Sequence, residues 1–89
     1  MARPPRDETP VYNRLEQVRT HRGLSRQQLA EAVGVHYQTI GYLERGEYSP
    51  SLSLALRLAT TLEIAVGDVF SLHPWVDEAL PAPVPEPVR

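Results

Sequence analysis

The chain has 89 residues and a formal net charge of −2, with 22% of its residues charged. That length makes one small domain with a modest core, marginal alone and commonly reinforced by self-association. With no cysteine, disulfide scaffolds, thiolate metal sites and cysteine nucleophiles are excluded, and the composition suits a reducing cytoplasm. No apolar run approaches the roughly 20 residues of a membrane span. The opening MARPPRDETP also lacks the apolar stretch of a secretory signal, so a cytoplasmic protein without membrane partners is expected.

Prolines mark the boundaries. Residues 4, 5, 10, 74, 81, 83, 85 and 87 are prolines outside 11–73, whereas every glycine falls inside that span. Three parts are therefore expected: a flexible arm over 1–10, a folded domain over 11–73, and a Pro-rich tail over 74–89. The tail ends PAPVPEPVR and has polyproline character.

Within the domain, helical signals follow one another closely. Residues 12–22 place Leu15 and Val18 at i, i+3 spacing, and Gly23 supplies the stop. Ser25-Arg26-Gln27-Gln28 reads as a capping box, starting a helix that turns Leu29, Ala30 and Val33 to one face and stops at Gly34. A third helix over 37–45 carries Ile40 and Leu43 inward and ends at Gly46. Leu54, Ala55, Leu58, Ala59 and Leu62 make a broad apolar stripe on a fourth helix over 52–62. A fifth, short helix is expected over 66–72, with Ala65 as a poor cap. No segment alternates well enough for a strand, so the domain reads as all-α.

Two helices joined through a glycine by a turn of three or four residues form a helix-turn-helix. Ala30 faces that turn and must be small for the helices to cross closely. With Ile40 and Leu43 holding the third helix to the core, its other face is free. That face carries Tyr37, Gln38, Gly41 and Tyr42, with His36 at its start. Glutamine can bridge adenine N6 and N7, and its neighbours can reach base edges or thymine methyls. The mild acidity runs against a phosphate-rich partner, yet all nine basic residues are arginines, whose planar donors suit phosphates and base edges.

The elements LSRQQLAEAVGV, QTIGYLE, GEYSP and SLSLALRLATTL, in that order, resemble the phage-repressor and Cro-type helix-turn-helix regulators of the xenobiotic-response-element family. The likeness covers residues 12–70 in one ungapped register. It implies a five-helix lambda-repressor-like fold and a homodimer that binds double-stranded operator DNA through the helix at 37–45, usually as a repressor. Position by position, His36, Tyr37, Gln38, Gly41 and Tyr42 look like base readers. Arg26, Gln27, Arg45, Tyr48 and Ser49 look like phosphate contacts. Arg19 and Glu44 match a buried structural ion pair.

Three residues depart from the family pattern. His36 replaces the usual Ser or Thr cap, Gly41 puts no side chain on the reading face, and Glu47 places an acid where a base is usual. Val69, Phe70, Leu72 and Trp75, with Val76 and Leu80 beyond them, are candidates for a dimer seam. The apolar set from Leu72 to Leu80 either docks on the same chain or joins that seam, with the seam favoured because a lone exposed tryptophan needs a partner. The acidic balance, Glu47 and the tail also fit a second reading, an antitoxin or interaction adaptor whose Pro-rich tail engages a protein partner. No Ser/His/Asp set, paired carboxylates or phosphate loop suggests an enzyme. His21, His36 and His73 lie in separate elements without a carboxylate at ligand spacing, so no metal or cofactor is expected.

Overall fold

The computed structural model describes residues 10–76 and 79–81. Four α-helices lie among them: α1 (Leu15–His21), α2 (Arg26–Val33), α3 (Tyr37–Glu44) and α4 (Leu52–Thr61). The expected arm, apart from Pro10, and residues 77–78 and 82–89 of the expected tail lie outside the described residues. The reading of the tail as a partner-binding segment falls largely there.

Each helix starts on a side-chain acceptor. At α2 the Gln28 amide donates to Ser25 Oγ at 3.0 Å, and the Ser25 amide donates to Gln28 Oε1 at 2.8 Å. At α4 the Leu54 amide donates to Ser51 Oγ, and at α1 the Leu15 amide donates to Asn13 Oδ1. His36 caps α3 as well, its ring Nδ1 accepting the Gln38 amide at 3.1 Å. An imidazole nitrogen thus does the work expected of a Ser or Thr oxygen.

The chain leaves α2 through Gly34 at φ 78, and the Val35 amide folds back onto the Ala30 carbonyl at 3.0 Å. This left-handed turn is nearly free for glycine. It sends α3 across α2, and the two pack through Leu29, Ala30, Val33, Ile40 and Leu43, all in the core. Helices α1 and α4 close that core with Leu15, Val18, Leu54, Leu58 and Leu62. The end of α4 is unusual: Glu63 occupies the left-handed position at φ 54, while Ile64 still bonds back to the Ala59 carbonyl.

Arginines tie the ends of these elements together. Arg57 Nη1 donates to the Val33 carbonyl at 2.7 Å, Arg22 Nε to the Leu62 carbonyl at 2.8 Å, and Arg14 Nε to the Asp68 carbonyl at 2.6 Å. A guanidinium over a helix C-terminus satisfies orphan carbonyls and complements the negative end of the dipole.

The structure corrects the sequence reading after residue 65. In place of a fifth helix there is a single 3-10 turn, Val66–Asp68, then a strand β2 (Phe70–Ser71). Ala65 offers no side-chain cap, Gly67 weakens any helix there, and the backbone finds a better partner in strand β1 (Tyr12–Asn13). The two strands pair antiparallel, Tyr12 opposite Ser71 and Asn13 opposite Phe70. Residues 12–13 accordingly leave the first helix, which starts only at Leu15. The domain is mostly helical, but not all-α.

Two dimer candidates are also reassigned. Val69 is fully buried in the core, so no second copy can reach it. Trp75 docks on its own chain, with the Arg14 Cζ 4.6 Å from the ring centroid. Leu80 packs against the same core, so cover for this end begins within the chain. Phe70 is half-buried, and Leu72 and Val76 stay exposed. Among the described residues no helix is long and apolar enough to cross a membrane.

Glu63→Gly is expected to stabilise the domain by about 0.5–1 kcal/mol, because an L-residue in the left-handed region carries a steric cost that glycine escapes. The check is a thermal melt, with a midpoint a few degrees higher. An unchanged or lower midpoint would show that Glu63 is unstrained there.

Candidate nucleic-acid interface

The placement of α3 depends on a buried acid. The Glu44 side chain is fully inaccessible and receives two guanidinium groups from two other elements. Arg19 Nε of α1 donates to Oε2 at 2.6 Å, and Arg26 Nε of α2 donates to Oε1 at 2.8 Å. Arg19 Nη1 also reaches the Leu24 carbonyl at 2.9 Å, which fixes the loop entering α2. From the strand side, Asn13 Nδ2 donates to the Leu43 carbonyl at 2.9 Å. The last turn of α3 is thus pinned from α1, α2 and β1.

With Ile40, Leu43 and Glu44 turned inward, the opposite face of α3 meets solvent. Tyr37 is 50% and Tyr42 46% exposed; Gln38 and His36 are exposed as well. The His36 and Tyr37 rings lie 4.7 Å apart at a 30° tilt, so the start of α3 presents a paired aromatic edge. Gly41 is an exception to its expected role. It is buried, because the Arg45 guanidinium lies over it.

The expected phosphate contacts divide into two groups. Arg26 and Gln27 form the exposed first turn of α2, which contains no acid. A cation in that turn opposes the helix dipole, whereas an added anion would complement it. Arg26 donates to Glu44 through Nε, and its side chain stays 43% exposed. Arg45, Tyr48 and Ser49 form the second group, exposed beyond the end of α3. There Arg45 Nε donates to Glu47 Oε1 at 3.0 Å and Nη2 to Oε2 at 3.3 Å. The Glu47 hydrogen bond raises the Arg45 pKa further above its already high ordinary value. Arg45 is therefore a permanent cation, but a paired one.

The candidate interface is thus the exposed side of α3 together with the exposed first turn of α2 and the exposed loop after α3. Sequence reasoning missed the second guanidinium on Glu44, and it missed Asn13, Arg22 and Arg57 as clamps. Asn13, two residues before the first core leucine, carried a legible signal as a capping residue type. The arginines carried none, since a contact to a carbonyl across the fold leaves no local pattern.

The family profile described as Helix-turn-helix matches residues 15–69. The HTH-type transcriptional regulator YgzD of Bacillus subtilis is 38% identical over 68 residues, covering 76% of this chain and 97% of its own. An HTH-type transcriptional regulator of Methanothermobacter thermautotrophicus is 51% identical over 59 residues, covering 62% of this chain and 86% of its own. Among solved structures, the restriction-modification controller protein C.AhdI from Aeromonas hydrophila is similar with a TM-score of 0.57 and 42% identity, over 60% of this chain and 80% of that one. The clp gene regulator ClgR from Corynebacterium glutamicum gives 0.59 and 31%, over 61% of this chain and 57% of that one.

Glu44→Ala is expected to cost about 3–5 kcal/mol, since it strands the buried Arg19 charge. Arg26→Ala, at the exposed end of the same cluster, is expected to cost less than about 1 kcal/mol. Urea titration followed by circular dichroism checks both. Equal losses would mean that Arg19 does not depend on Glu44.

Proposed function

Because the chain belongs to the helix-turn-helix family of DNA-binding transcriptional regulators, we propose that it is a repressor that reads an operator as a homodimer. The observation that carries this reading is the division of α3 into two sides. Its apolar side and Glu44 are sunk in the fold, while Tyr37, Gln38 and Tyr42 remain exposed on a rigid helix. A helix of this kind fits the major groove, where side chains meet a distinct donor and acceptor pattern at each base pair.

In this reading Gln38 is the main adenine reader. Tyr37 and Tyr42 contact base edges or thymine methyls, and His36 stands beside them. Arg26 and Gln27 bind a phosphate at the start of α2, where backbone amides, dipole and guanidinium converge. The Arg19–Glu44–Arg26 cluster carries two positive charges against one negative, so a net attraction for phosphate remains despite the ion pairs. Tyr48 and Ser49 hold the backbone on the far side of the groove. A two-fold axis near Phe70 and the exposed Leu72 would bring two copies together. Their α3 helices would then sit about 34 Å apart, in successive major grooves.

Gln38→Ala is expected to weaken operator binding by about 1–3 kcal/mol and to relax preference at one base position. Arg26→Ala should weaken all duplexes alike and flatten the salt dependence by about one unit. Titrations of a selected operator and a random duplex at several salt concentrations separate the two effects. Equal losses on both duplexes for Gln38→Ala would contradict its assigned role.

A further inference from the structure

We propose that Arg45 reads guanine from the middle of the α3 face, in the place that Gly41 leaves empty, with Glu47 as its positioning residue. The inference rests on the operator-reading role proposed for α3. Side chains on a helix lean toward its N-terminus, so residue 45 covers the turn that contains residue 41. Arg45 Nη1 lies 3.1 Å from where a Cβ at position 41 would stand, with Cζ and Nη2 at 3.8 Å. A side chain there would compete with the guanidinium for the same space.

Two further holds keep it in that seat. The Tyr42 ring lies beside it, with the ring centroid 5.2 Å from Cζ, a cation–π contact. Glu47 grips it along one edge through Nε and Nη2. The backbone brings Glu47 within reach, since the chain reverses after α3 and the Glu47 amide bonds back to the Tyr42 carbonyl at 2.9 Å. These two contacts restrain a side chain that usually samples many rotamers.

Charge separates the two candidate roles. The Arg45–Glu47 pair is neutral as a unit, unlike the Arg19–Glu44–Arg26 cluster, so the phosphate field attracts it weakly. Directionality survives neutralisation. A guanidinium has five N–H donors, and Glu47 takes one from Nε and one from Nη2. The end of the fork, with one donor from each terminal nitrogen, is left, and guanine O6 and N7 accept such a pair. Gly41 is then the residue that makes room for the reader.

The test is selection of bound sequences from random duplexes, with salt titrations of the winners. The wild-type chain is expected to enrich guanine at one position of each half-site. Arg45→Ala should lose that guanine, about tenfold or more in discrimination. Gly41→Leu, which exchanges glycine for a stronger helix former, should lose the same guanine although Arg45 is still present. Glu47→Gln should blur that position and steepen the salt slope by about one unit, as the released cation turns to phosphate. If Arg45→Ala kept the guanine and flattened the slope by about one unit, Arg45 would be a phosphate contact and the assignment would be overturned. If the wild-type chain enriched no sequence, operator reading itself would fail, and this assignment with it.

Discussion

A carboxylate buried between two guanidinium groups holds α3, the helix proposed to read DNA, in place. Glu44 belongs to α3, Arg19 to α1 and Arg26 to α2, so one acid joins the three helices that must keep a fixed mutual geometry. Apolar packing alone tolerates small slides between helices, because it is non-directional. A side-on Arg–carboxylate contact does not, since two hydrogen bonds fix both distance and angle. Leu29, Ala30, Ile40 and Leu43 supply the burial, and Glu44 supplies the register.

The six arginines between residues 11 and 73 form a graded series. Arg14, Arg22 and Arg57 cap carbonyls at the ends of other elements. Arg19 is buried on Glu44. Arg26 and Arg45 are the exposed members, and each has its Nε held by a carboxylate. This resolves the tension between an acidic chain and a polyanionic partner. Among the described residues most of the arginines serve the fold, and the exposed Arg26 and Arg45 are each held by a carboxylate. Affinity in such a design depends on directed hydrogen bonds more than on bulk charge, at the cost of weak non-specific binding.

Much of this was legible in the sequence because the signals were local. The Ser25–Gln28 box, the stop at Gly34 and the i, i+3, i+4 leucines of α4 each act within one helical turn, and all appear where expected. The same periodicity that buried Ile40 and Leu43 marked Tyr37, Gln38 and Tyr42 as the opposite side. What escaped was non-local. The pairing of residues 12–13 with 70–71 joins two-residue segments too short to alternate, and it replaced the expected fifth helix. Trp75 found its cover on Arg14 across the fold. Gly41 read as an empty position because nothing in the sequence shows that the guanidinium four residues later lies over it.

The most direct measurement is nuclear magnetic resonance mapping of the chain as a duplex selected by it is titrated in. Shifts and line broadening should concentrate on Tyr37, Gln38, Tyr42, Arg45 and the Arg26–Gln27 turn, leaving unmoved the exposed side of α4, where Leu56 is 48% exposed. Changes centred on α4, with α3 silent, would mean that the exposed side of α3 is not the surface that meets DNA.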